Sequence, residues 1–282
     1  MKVNDLFMKL KIFFLSSILI FLPLLTSQAF AFRVTCSMFP VYEFAREIAG
    51  TEAGVNLLLK PGAEPHEFEP SPSDIKKLND SDVFIFTDSE MERWAGKISS
   101  SLSGVKVIEA SRGIERINGD PHVWLDLKKA QTMVKNIAEG LSMALPEKAG
   151  IFEANAENYC AKLTELDGKF EALSKNKTLV FTGKFAFNYF TERYKFNYIS
   201  AYDGENEPSV KSMAAVLKFI RDNDVKFIFS DSPENPVSRS IAGETGSEIL
   251  IFDSCENVSD FNKGLSFLEI MTKNYEAVRK AL

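Results

Sequence analysis

Histidine is the scarcest informative residue of this chain: two occur among 282 residues, beside three cysteines and two tryptophans. Each shortage excludes something. Three cysteines allow at most one disulfide, so a disulfide-stapled scaffold is ruled out, and the plain reading of Cys36, Cys160 and Cys255 is buried free thiol. The two histidines are not spaced as His-x-x-x-His, which removes the helical zinc-protease motif. The formal charge of −6 argues against nucleic acid as a partner. The longest apolar run, Ile12 to Leu25, is shorter than the roughly 20 residues that a membrane-spanning helix needs, and Pro23 interrupts it. Tandem repeats and low-complexity segments are absent from the sequence.

What is present begins with a targeting pattern. Lys2, Lys9 and Lys11 precede that apolar run, and Ala29-Phe30-Ala31 follows it before Phe32. This is the grammar of a cleaved secretory signal over residues 1–31. The residues before Cys36 lack the small side chains of a lipoprotein signal, so the expectation is a soluble, exported protein. Cleavage removes three lysines and Asp5, which takes the formal charge from −6 to −8.

Short β-branched and aromatic runs then alternate with amphipathic stretches. Arg33 to Met38, Asn56 to Leu59, Val83 to Thr87 and Val105 to Ile108 read as four strands. Thr178 to Thr182, Asn197 to Ala201, Lys226 to Ser230 and Ile249 to Asp253 read as four more. Pro40 and Gly50 bracket a first helix, and Ser71-Pro72 with Asp74 opens another. Between the halves, Phe152, Tyr159, Leu163, Leu166, Phe170 and Leu173 form one apolar stripe in a helical stretch beginning near Pro146. Spread over about 29 residues, it predicts a spine of roughly 43 Å that limits hinge motion. The predicted fold class is α/β: two (β/α)4-type lobes, residues 32–145 and 176–282, joined by a long rigid helix over 146–175.

Both histidines lie in Pro-His pairs beside acids, Glu64-Pro65-His66-Glu67 and Asp120-Pro121-His122-Val123. Imidazole used so sparingly, twice in the same turn-like setting, points to ligands for a divalent transition metal. His66 follows a strand's carboxyl end, the edge of an open α/β sheet where ligands bind. His122 lies at the exit from the first half, and Asp253 ends the last strand of the second. Two imidazoles from one lobe and a carboxylate from the other would form a site in the cleft between lobes. Taken alone, a strand-end aspartate is as often a turn former.

Five motifs in order carry a family resemblance over essentially the whole mature chain: Lys60 to Asp74 around His66, Asp120 to Asp126 around His122, and Ala186-Phe187-Asn188-Tyr189-Phe190 with Arg193-Tyr194. Glu207-Pro208-Ser209 and Ile241 to Gly246 complete the set. The sequence resembles the ABC-transporter substrate-binding proteins that capture zinc or manganese. The resemblance implies two α/β lobes on a rigid helix, periplasmic location, a membrane permease with its cytoplasmic ATPase as partner, and no enzymatic turnover; a monomer is expected.

As ligands the resemblance implies His66, His122 and a late acid, matched by Asp253, with Asp231 the competing candidate. The family's remaining ligand position, just before Ala186-Phe187, is occupied by Lys184, which as an ammonium has no lone pair to give. Lys184 is therefore expected to pair with an acid such as Asp253 or Asp231, or to face solvent while Glu64, Glu67 or water completes the shell. No histidine-rich loop separates the two Pro-His pairs, which removes one zinc-specific cue, while the affinity order of divalent metals favours zinc over manganese. Two other functions compete: a same-fold protein that carries a metal chelate or an anion near Lys184, and an exported metallohydrolase using His66, His122 and an acid.

Overall fold

Runs rich in Val, Ile and Phe form a first parallel sheet from β1 (Arg33–Cys36), β2 (Gly54–Leu57), β3 (Val83–Phe86) and β4 (Lys106–Glu109), in the order β2-β1-β3-β4. A computed structural model describes residues 32–117, 120–184, 187–202, 207–258 and 262–282 of the protein. The signal-sequence reading of residues 1–31 and the Ala186 position of the fourth-ligand motif lie outside the described residues. Parallel neighbours require crossovers, and helices α1 (Phe39–Ala49), α2 (Pro72–Asn79) and α3 (Arg93–Ser99) supply them. Ser71 caps α2 reciprocally with Asp74, as the spacing predicts. The second strand starts two residues earlier than its apolar run suggested, because Gly54 N already donates to Phe32 O, at 2.9 Å.

The second lobe repeats the scheme. Strands β5 (Thr178–Phe181), β6 (Asn197–Ser200), β7 (Phe227–Ser230) and β8 (Glu248–Ile251) are parallel in the order β6-β5-β7-β8, the same permutation as in the first lobe. Its helices, numbered after the two that join the lobes, are α6 (Asn188–Tyr194), α7 (Val210–Asp222), α8 (Pro236–Thr245) and α9 (Phe267–Ala281).

Two antiparallel helices join the lobes, α4 (Leu127–Ala144) and α5 (Ala149–Glu171). The spine helix α5 has 23 residues, about 34 Å, and is shorter than the stripe suggested, because Pro146–Lys148 forms a separate 3-10 turn and Leu173 lies beyond its end. Its first half belongs to the first lobe: Asn155 Nδ2 donates to Ile48 O at 2.9 Å, and Tyr159 packs on Phe44. Its second half belongs to the other lobe. There Phe170 packs against Phe190, Tyr194 and Tyr275, and Asp167 accepts from Arg193 Nη2 at 2.5 Å and from Tyr194 OH at 2.8 Å. The lobes also touch directly, Phe44 of α1 against Phe267 of α9 with ring centroids 4.9 Å apart, and Glu43 accepts from Phe267 N at 3.2 Å. One continuous hydrophobic core therefore runs through both lobes. A large apolar contact of this kind opposes free hinge motion. All three cysteines are buried free thiols.

Candidate metal centre

Three loops at the carboxyl edges of the sheets meet in one place. The first follows β2. Gly62, at φ 77°, makes a turn that residues with a Cβ disfavour, and the chain then passes through Ala63 and Glu64 to His66. Glu64 Oε1 accepts from His66 N at 3.3 Å and steadies the approach.

The second loop carries His122 into the 3-10 turn Val123–Leu125. Asp120 Oδ1 holds His122 twice, accepting from its backbone N at 2.9 Å and meeting its ring Nδ1 at 2.6 Å. With the Nδ1 proton directed at Asp120, Nε2 is left to serve as the donor. The ring is almost fully buried and packs edge-on against Trp124.

The third loop follows β8 and bears Glu256. Its Oε1 contacts His122 Nε2 and lies 3.4 Å from His66 Nε2. One donor atom each of His66, His122 and Glu256 lies within 4.8 Å of the others, a spacing that fits a single metal ion. This loop is tied to both histidine loops. Trp124 Nε1 donates to Ser254 O at 2.7 Å, Gly62 N to Val258 O at 2.8 Å, and Asn257 Nδ2 to Ala63 O at 3.3 Å.

The electrostatics are those of a buried ionic triad. Burial pushes the His122 imidazolium down, but the Glu256 charge and the bonds to Asp120 and Glu256 outweigh it and hold the group up at about 10. Burial likewise works against the charge on Glu256, yet the two histidines hold its carboxyl well below the usual range. Asp120 is lowered, its burial outweighed by His122. A metal dication entering here would replace the shared proton with a stronger cation. On the His66 side a cavity of about 560 Å³ is lined by His66, Glu67, Glu69, Glu90 and Trp94 among others.

Of the acids expected from sequence, none stands in this donor group. Both oxygens of Asp253 are in use, Oδ1 accepting from Cys255 N at 2.8 Å and Oδ2 from Asn262 Nδ2 at 2.9 Å, and Glu256 occupies the carboxylate position in its stead. Asp231 Oδ1 accepts from Asn235 Nδ2 at 3.1 Å and abuts Gly183, leaving no room there for a Cβ. Lys184 lies 3.7 Å from Glu64 Oε2 and pairs across the lobes with that acid. Glu67 is exposed on the cavity wall. Glu256 was missed because it lies past a turn, at Cys255 with φ 59°, that strand periodicity does not announce. Its only sequence signal is being the next acid after Asp253 on the same loop.

No helix among the described residues is long and apolar enough to cross a membrane. The zinc-binding protein AdcA of Streptococcus pyogenes is 33% identical across 88% of this chain, and the chain spans about half, 55%, of that relative's length. The high-affinity zinc uptake system protein ZnuA of Bacillus subtilis is 30% identical, with 89% of this chain and 87% of that one aligned. The Zn(II)-bound ZnuA-like domain of Streptococcus pneumoniae AdcA superimposes with a TM-score of 0.78 at 30% identity, over 89% of this chain and 98% of that domain. The family model for zinc-uptake complex component A, periplasmic (ZnuA), runs from residue 34 to 281 and so takes in both lobes, the spine helix and the loops of His66, His122 and Glu256; the chain belongs to that family.

Proposed function

We propose that this protein captures a divalent transition metal ion, zinc in preference to manganese, on His66, His122 and Glu256 and passes it to an ABC importer. The observation that carries the reading is the approach of these three donors from three loops, one imidazole already aligned by Asp120. Two nitrogens and a carboxylate oxygen suit zinc, and the affinity order of divalent metals places zinc above manganese. The zinc-binding relatives support the same choice.

Three protein donors leave a tetrahedral ion one open position. Water fills it during carriage, and a donor of the membrane permease enters there to begin handover, with the cytoplasmic ATPase driving import. The protein acts as a periplasmic monomer after cleavage behind Ala31 and turns over no substrate. The alternative of an anionic cargo draws on Lys184, but that ammonium already faces Glu64.

Metal analysis of protein purified without a tag, followed by calorimetric titration, tests the proposal. Stoichiometric zinc is expected, and His66→Ala and His122→Ala are each expected to weaken it by at least about tenfold, about 1.4 kcal/mol. Unchanged affinity in folded variants would remove the two-histidine site, and hydrolytic turnover with zinc bound would favour a metallohydrolase.

A further inference from the structure

We propose that Asp253 is a positioning residue, which sets through the backbone turn at Cys255 where the Glu256 carboxylate stands between the two imidazoles. The proposal rests on the metal-capture reading above and deepens it.

Asp253 is 8% exposed, and four of its polar atoms have partners within the fold. Its backbone N donates to Asn274 Oδ1 at 2.9 Å and its O accepts from Asn274 Nδ2 at 2.8 Å, which pins the end of β8 to α9. Its side chain then looks forward along the loop. Oδ1 accepts from Cys255 N at 2.8 Å, closing the turn in which Cys255 takes φ 59°. That left-handed conformation crowds a Cβ and persists only where neighbours over-determine it. Glu256 is the next residue, so the direction of its side chain depends on that turn.

The far side of Glu256 is held from the same centre. Asn262, itself 3% exposed, donates through Nδ2 both to Asp253 Oδ2 at 2.9 Å and to Asn257 O at 3.0 Å. Glu256 is thus bracketed by residues 255 and 257, and both lead back to the Asp253 carboxylate. A carboxylate fits this position because it accepts at both oxygens and donates at neither. To ligate a metal instead, Asp253 would have to release Cys255 N or Asn262, loosening the loop that places Glu256.

The test compares Asp253→Ala with Asp253→Asn in zinc affinity and in the visible spectrum of the cobalt-loaded protein. The asparagine keeps an acceptor for Cys255 N, whereas alanine loses both bonds. Asp253→Ala is expected to weaken zinc by at least about tenfold, the scale of lost outer-shell support. Asp253→Asn keeps the bond to Cys255 N but sets an amide N–H toward Asn262 Nδ2, so zinc is expected to weaken by about three- to fivefold, less than in Asp253→Ala, with cobalt bands unchanged in position and intensity, since the coordinating atoms are the same. An asparagine variant as weak as alanine with shifted cobalt bands would make Asp253 a ligand and overturn the proposal; so would parental affinity in Asp253→Ala. Should Asp253→Ala fail to fold, Asn262→Ala decides: zinc about fivefold weaker supports the bracket, and unchanged affinity overturns it. A parent protein that binds neither zinc nor cobalt would defeat the capture reading itself, before any variant is compared.

Discussion

Zinc binding at pH 7 is expected to eject close to one proton from His122. In the metal-free protein this imidazolium stands between Asp120 and Glu256, and their charges overcome its burial to hold it up at about 10. Metal at Nε2 must displace that proton, so the apparent affinity should strengthen about tenfold per pH unit while the pH stays below that value. Between pH 7 and 9 the gain should far exceed the less than twofold of a histidine titrating at the ordinary 6.5. Asp120→Asn separates the two roles of its partner. It removes one of the charges that keep the proton in place, so the pH dependence should flatten. At pH 9, where proton competition is weakest, the remaining deficit of about ten- to a hundredfold measures the loss of ring alignment. Calorimetry in two buffers of different ionisation heat counts the proton, and competition with a chelator gives affinities across the pH range. Affinity that levels off above pH 7 with no proton released would refute this account of His122.

The same groups set how the metal-free protein responds to pH. His122 is raised from 6.5, so its contribution is complete below that value and is lost as pH climbs through about 10; the melting temperature of metal-free protein should fall steadily over that interval. Glu256 is depressed, so its contribution is present above the ordinary carboxyl value of 4.5 and is lost on acidification, making a second decline in melting temperature visible at low pH. Lys184→His exchanges an ammonium near Glu64 for a neutral donor at the position where the resemblance implies a ligand; zinc should bind at least about tenfold tighter by titration, and equal or weaker binding would place residue 184 outside the coordination sphere. Gly183→Ala would set a Cβ 2.5 Å from the backbone N of Asp231, and urea denaturation should show a loss of about 1–3 kcal/mol.

The eight strands, the proline-marked start of α1, the capped start of α2 and the apolar stripe of α5 were all legible in the sequence, because each is specified by residues within a few positions of one another. Their edges were less so. The expected spine began near Pro146 and ran past Leu173, while the helix stops short at both ends, since backbone hydrogen bonding and not apolar spacing decides where a helix terminates. The two histidines could be singled out as candidate metal donors for a related local reason: their Pro-His setting and neighbouring acids are adjacent in the chain.

The acid that completes the donor group could not be chosen that way. His122 and Glu256 are 134 residues apart, and their meeting depends on how two lobes dock over one shared core. Asp253 and Glu256 share a loop and carry the same charge, so composition and spacing offer no means of choosing between them. The choice comes from the left-handed turn at Cys255, with Asp253 held by Cys255 N and Asn262 while Glu256 reaches the imidazoles. The partner of Lys184 was undetermined in the same sense, because an ammonium attracts any nearby carboxylate and only the packing of the lobes brings Glu64 to it. Local sequence determined the elements and the two imidazoles; tertiary structure decided which acid meets them, because that meeting is set by contacts between loops far apart in the chain.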